Sequence, residues 1–315
     1  MATNTQKPTV SRKRTPTPTA MRVLALRRTH SARAVADELG IPLGTVKTIS
    51  SRAGITRNNE RLRAFFQLPE PVASTCTEVA TPTALPEQVA VTGDKDVDAV
   101  LWLRSVVETG DPDLIERALE AAQRITTPAK ELETRYGTYL ARTTGNSLVA
   151  ALSSMNFANL QGLAKGVIDR QRRQRDALAR LGGTEEAVFS VTPQEQFCMD
   201  TLALVPTVEQ PWKKHDPDLA NAAFEQQTDL APHTLDDCLY ELHYWHALYR
   251  CRSAWLNSGD PWQEVQARED YLRWCMGRIK PKTRAEAKDV LAYLVQEDGL
   301  NWKEADAILE NLIGL

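Results

Sequence analysis

Thr45, Lys47, Thr48, Ser51 and Arg52 alternate with Leu43, Val46 and Ile49 in the stretch LGTVKTISSR. On a helix, that spacing gathers the apolar side chains on one face and the hydroxylated and cationic ones on the other. The second face has the chemistry to meet base-pair edges. Hydroxyls donate and accept, and Lys and Arg donate to guanine O6 and N7. The chain's other chemically capable residues offer less. Cys238, His243, His246 and Cys251 fall on what reads as one helix, with Cys275 beyond. Cys238 and Cys251 would stand about 20 Å apart along it, whereas zinc ligands all lie about 2.0–2.3 Å from the ion. Only His243 and His246 could share a metal, and two ligands are too few, so no metal is expected. Leu235, Leu239, Leu242, Trp245 and Tyr249 mark the same segment as core. The string ARTTGNS (141–147) has a glycine but neither P-loop spacing nor a following Lys, and reads as a helix–helix turn. Gly-x-Ser-x-Gly, His-Glu-x-x-His and paired-carboxylate patterns do not occur. Asp236-Asp237 reads as the first turn of a helix, where acids favour the dipole. No catalytic residue, no cofactor and no enzyme activity are expected.

The elements that would present the polar face come just before it. Ser31 is a natural N-cap for a helix with Val35, Ala36 and Leu39 on one side. Gly40 stands where the chain must reverse, Ile41 plugs the gap between helices, and Pro42 pre-sets the next helix start. This is the layout of a helix-turn-helix. Ala36, Gly40, Val46 and Ile49 occupy its small, turn and core positions, and LGIPLGTVK resembles the promoter-reading helix-turn-helix of bacterial sigma factors. The resemblance stops after Lys47. Sigma factors of that type usually continue with an arginine-rich recognition helix, where this chain reads TISSRAGITRNNERLR. It implies a module that binds duplex DNA and nothing further, and the remainder of the chain carries no such likeness. The competing reading is three small amphipathic helices with no nucleic-acid role.

Charge agrees with the DNA reading. Residues 1–68 hold thirteen Lys or Arg and three acids, a net of +10, while the whole chain of 315 residues carries −3. The remaining 247 residues therefore carry −13. A polyanion is drawn to the first fifth of the chain and repelled by the rest. Arg27, Arg28, Arg33 and Arg57 are the expected phosphate contacts, with Arg27 and Arg28 also placed to cap a first helix over 20–30. Arg12, Lys13 and Arg14 form a basic arm able to reach phosphates or the minor groove. Met21, Val23, Leu24 and Leu26 are available to the module's core, and Leu62, Phe65 and Phe66 are expected beneath it.

The predicted organisation is all-α. A disordered basic arm (1–19) precedes a helix-turn-helix domain (20–68). A flexible Pro-, Thr- and Ala-rich linker (69–94) leads to an acidic all-helical body (95–315), with two subdomains if it breaks near 183. Helix starts are signalled at Asp111-Pro112 and Thr127-Pro128, and by capping-box spacing at Thr192…Glu195, Asp260…Gln263, Thr283…Glu286 and Asn301…Glu304. Eight to ten helices are expected there, and only Ala187–Val191 looks strand-like. The segment 157–181 carries Leu160, Ala164, Val167, Gln171, Gln174, Leu178 and Leu181 at coiled-coil spacing, the outline of a homodimer seam. Its Arg170, Arg172, Arg173 and Arg175 read as a solvated face.

No run approaches the ~20 apolar residues of a membrane span, and no apolar stretch follows the basic N-terminus as a secretory signal requires. Five scattered cysteines suit a reducing, cytoplasmic setting. The expected function is a sequence-specific, nucleoid-associated transcriptional regulator whose partner is double-stranded DNA. Its body would serve self-association, a protein partner or an effector. The alternatives are a DNA-packaging adaptor of the phage small-terminase kind, a plasmid-maintenance adaptor, or a helical protein–protein interaction factor.

Overall fold

Gly40 makes a tight turn between two short helices. Its φ of +62° is a left-handed conformation that costs glycine nothing. The Ile41 N–H reaches back to the Ala36 carbonyl at 3.1 Å, the closing bond of a Schellman C-cap. This geometry comes from a computed structural model that describes residues 17–27, 30, 32–55, 57–72, 84–209, 213–255 and 260–314. Three helices surround the turn: α1 (Pro18–Arg27), α2 (Ala32–Leu39) and α3 (Leu43–Arg52). Val23, Val35, Ala36 and Val46 form their core, closed by Leu26, Leu39, Ile41, Leu43 and Ile49. Met21, expected in that core, is exposed. The expected N-cap Ser31 lies outside the described residues. A fourth, short helix, α4 (Glu60–Phe65), is capped by Asn59, whose Oδ1 accepts from Arg61 N and Leu62 N.

By contact, the chain divides into two units, one of Met1–Leu68, Val191–Ala247 and Asp260–Leu315, the other of Pro69–Ser190 and Leu248–Gly259. The second unit is built on α5 (Lys95–Glu108), α6 (Pro112–Ala122), α7 (Ala129–Thr144), α8 (Ser147–Ser154), α9 (Leu160–Arg180) and α10 (Glu185–Phe189). Asp111 caps α6 with Pro112 behind it, as expected. Gly145 ends α7 in a left-handed turn and Asn146 caps α8, so 141–147 is a helix–helix turn. Thr127 does not cap α7. Pro128 holds the N-cap position, and the Thr127 hydroxyl instead donates to Asp96.

Leu103, Val106 and Val107 of α5, Ile115 and Ala118 of α6, and Leu160, Ala164 and Val167 of α9 share one core. The leading half of the predicted seam is thus covered by this chain's own helices. Its trailing residues, Leu178 and Leu181, pack with Ala177, Val188 and Cys251. Ala187–Val191 is not a strand. Thr184 accepts from the Ala187 N–H, and Glu185 and Glu186 favour the helix dipole, so α10 forms and buries Val188. Residues 84–94 have no regular structure, yet part of this stretch is pinned. The Asp98 carboxylate accepts from the N–H groups of Val91, Thr92 and Gly93 at 3.2, 2.7 and 3.1 Å.

The first unit continues with α11 (Pro193–Leu202), the strands β1 (Thr207–Glu209) and β2 (Lys213–His215), α12 (Pro217–Gln226), α13 (Leu235–Arg252) as far as Ala247, α14 (Gln263–Met276), α15 (Arg284–Gln296) and α16 (Ala305–Ile313). The strands pair antiparallel, with Val208 opposite Lys214. This hairpin is the only sheet among the described residues, and nothing in the sequence reading anticipated it. Thr192 and Glu195 form the expected capping box. The other three capping-box spacings fare differently. Thr283 caps α15, while the Glu286 carboxylate accepts from the N–H groups of Leu235 and Lys282. Trp262 and Glu304 hold the N-cap positions of α14 and α16 without side-chain caps. Short helices such as α8 and α10 make the body more finely divided than eight to ten helices.

Candidate nucleic-acid interface

Val46, wholly buried, and Ser50, nearly so, point α3 inward, with Leu43 and Ile49 half-buried beside them. The opposite ridge of Gly44, Thr45, Lys47, Thr48, Ser51 and Arg52 is exposed along its length. Ser50, left to the inner face, satisfies its hydroxyl on the Val46 carbonyl at 2.8 Å. Thr48 donates to the Gly44 carbonyl at 2.8 Å, which fixes its rotamer and leaves its oxygen as an outward acceptor. Pro42 stands at the N-cap of α3 and supplies no side-chain acceptor. The first-turn amides therefore add their partial positive charge to that end of the ridge.

The expected phosphate contacts fall into three groups. Arg33 and Arg57 are exposed, as is Arg22, which sequence reasoning did not single out. Arg27 is half-buried, with its Nη1 on the His30 carbonyl, so its capping role is the one seen. Arg12, Lys13, Arg14 and Arg28 lie outside the described residues.

Residues 58–66 do something the sequence did not disclose. Phe65 and Phe66, expected under the helix-turn-helix, pack against Phe197, and Phe66 also meets Tyr244 and Trp245 at 5.6 Å. A polar lock holds them there. The buried Asp237 carboxylate accepts from Asn59 N at 2.9 Å, His233 N at 3.0 Å and Arg63 Nε at 3.0 Å. Arg63 also donates to Asp236 at 2.7 Å and lies 4.8 Å over the Tyr240 ring. Partial burial opposes the Arg63 charge, but its bonds to Asp237 and Asp236 outweigh that and raise its pKa. Asn59 Nδ2 donates to the Asp229 and Ala231 carbonyls, and Asn58 bonds Asp236 and Thr234. Asn58 is therefore committed to protein rather than poised for DNA. The only sequence signals were the Asn58-Asn59 pair before a short amphipathic run and the Asp236-Asp237 pair.

Behind this lock, Arg268 and Glu241 are a fully buried ion pair with bonds of 2.7 and 2.8 Å. The Arg268 guanidinium sits 5.0–5.6 Å from the rings of Phe66, Phe197, Phe224 and Tyr271. The cation–π contacts offset part of its desolvation. Burial still leaves Glu241 above the usual carboxylate range.

The cysteine and histidine cluster is dispersed. Cys198, Cys238, Cys251 and Cys275 are buried and in no disulfide among the described residues, and burial pushes Cys198 and Cys238 well up, away from the reactive thiolate. His243 and His246 each face the Tyr293 ring at 6.0 Å. Among the described residues no helix is long and apolar enough to cross a membrane. Compared with known families, curated proteins and solved structures, the chain matches none.

Proposed function

We propose that the N-terminal module docks α3 in the major groove of duplex DNA, and that the protein is a sequence-specific regulator of transcription. The observation that carries this reading is the two-sided character of α3. Val46 and Ser50 turn inward, and an unbroken exposed ridge of Thr45, Lys47, Thr48, Ser51 and Arg52 faces out. Lys47 and Arg52 donate to base edges, Thr45, Thr48 and Ser51 supply small hydroxyls and methyl groups, and Arg33 and Arg57 hold phosphates. The acidic helical body repels the polyanion and so keeps DNA on the module. It is also the part available to a protein partner or an effector. Enrichment of a preferred duplex from a random pool by the full-length protein tests the reading. A pool that emerges unenriched contradicts it.

A further inference from the structure

Arg170 and Arg173 stand three residues apart on α9 and so lie on one face of it, which Val167, a further three residues back, shares. With Val167 they border a cleft of about 400 Å³ in the second unit, whose lining also includes Gly162, Gly166, Ser253 and Trp255. The volume lies within the range of small-molecule sites. Among the described residues no carboxylate lines the cleft. Neither arginine has an ion-pair partner among the described residues, in contrast to Arg172 on Asp169 and Arg180 on Asp176. The Arg173 Nε is shut off from solvent with no acceptor among the described residues, a state that buried donors rarely keep. Gly166 leaves its part of the wall as bare backbone, whereas the Asn159 side chain covers Gly162. A Cβ at Gly166 would meet nothing within 4 Å, so the space over it is open. Trp255 supplies an aromatic surface in the same cleft.

From this arrangement we infer that the cleft binds an organic phosphate bearing a flat ring, of mononucleotide size. Two adjacent guanidiniums match a phosphate dianion with three oxygens better than they match one carboxylate, which a single arginine satisfies. The open space over Gly166 and the indole accept the ring, and the Ser253 oxygen, whose proton goes to the Arg250 carbonyl, can accept from a sugar hydroxyl. The site does not depend on the N-terminal module binding DNA.

The test is ¹⁹F NMR on full-length protein labelled with 5-fluorotryptophan, the Trp255 resonance being assigned with Trp255→Phe. Ribonucleoside 5′-monophosphates are the probes, with the parent nucleosides and inorganic phosphate as separate arms. At least one monophosphate should shift the Trp255 resonance saturably in the millimolar range or below. Nucleoside and phosphate alone should bind about tenfold more weakly or worse, as should Arg173→Ala towards the monophosphate, the loss expected for one charge-assisted bond pair. Gly166→Leu fills the open space on a helix that tolerates leucine, and should abolish the shift while leaving the other tryptophan resonances in place. A Trp255 resonance that no monophosphate moves would overturn the inference. So would binding that survives both Gly166→Leu and Arg173→Ala, or inorganic phosphate binding as tightly as the nucleotides.

Discussion

Salt dependence separates the cations that meet DNA from those the fold has already used. Arg61 is paired with Asp229, and Arg63 with Asp236 and Asp237. Arg22, Arg33, Lys47, Arg52 and Arg57 are exposed without an ion pair among the described residues. Each phosphate neutralised lowers log affinity by about 0.9 per log unit of salt, so Arg22, Arg33 and Arg57, the three not assigned to base edges, together can supply a slope of about −2.7. A tenfold rise in KCl would then weaken binding about 500-fold. Fluorescence anisotropy of a labelled duplex, titrated across that salt range, gives the slope directly. Arg33→Ala and Arg57→Ala should each flatten it by about 0.9, and do so on any duplex sequence. Arg61→Ala should leave it unchanged, because Asp229 already neutralises that charge. Equal flattening by Arg61→Ala and Arg33→Ala would refute the reasoning, since pairing within the protein would then not decide which cations reach DNA.

Three further outcomes follow from the packing. Asp237→Ala strands two backbone N–H groups and the Arg63 Nε, and should cost about 3–5 kcal/mol in urea denaturation followed by near-ultraviolet circular dichroism. Asp236→Ala, at the exposed end of the lock, should cost about 1 kcal/mol or less, and equal costs would contradict the lock. Gly40→Ala meets no steric obstacle, so its cost should be the backbone penalty of a left-handed residue alone, about 1–2 kcal/mol, read as weakened duplex binding and lost amide protection in α2 and α3. Burial works against the Asp98 charge, but the N–H groups of Val91, Thr92 and Gly93 and the Thr92 hydroxyl hold its pKa below the ordinary value. A lowered carboxylate pKa stabilises the fold above the unfolded value of about 3.9 and loses that contribution as pH falls through the folded one. Amide protection in 91–98, relative to the intrinsic exchange rate at each pH, should therefore fall below about pH 4, and Asp98→Asn should show the lowered protection already at neutral pH.

The elements most legible in the sequence were those specified by local chemistry. Gly40 announced a left-handed turn, Asp111-Pro112 and Thr192…Glu195 announced helix starts, and the alternation in 43–52 announced which side of α3 faces out. The features that escaped depend on partners far along the chain. Phe65 and Phe66 read simply as apolar residues after a helix-turn-helix, because the aromatic surface they join comes from 197 and from 244–245. Asp236-Asp237 looked like a dipole pair, because its true partners, Asn59 and Arg63, lie more than 170 residues away. The 157–181 seam was a real apolar stripe whose partners proved to be α5, α6 and α10. Ala187–Val191 looked strand-like by side-chain type, yet Thr184 and two glutamates in the first turn settled it as helix. The cleft beside Arg170 and Arg173 was invisible for the same reason, since Trp255 reaches it from a distant segment.

Duplexes selected by the full-length protein, by Lys47→Ala and by Arg52→Ala, each from the same random pool, test the outward ridge of α3 most directly. The proposed role of these side chains predicts that each variant still selects a site but loses preference at a distinct position within it. Identical preferred sequences for all three proteins would contradict it.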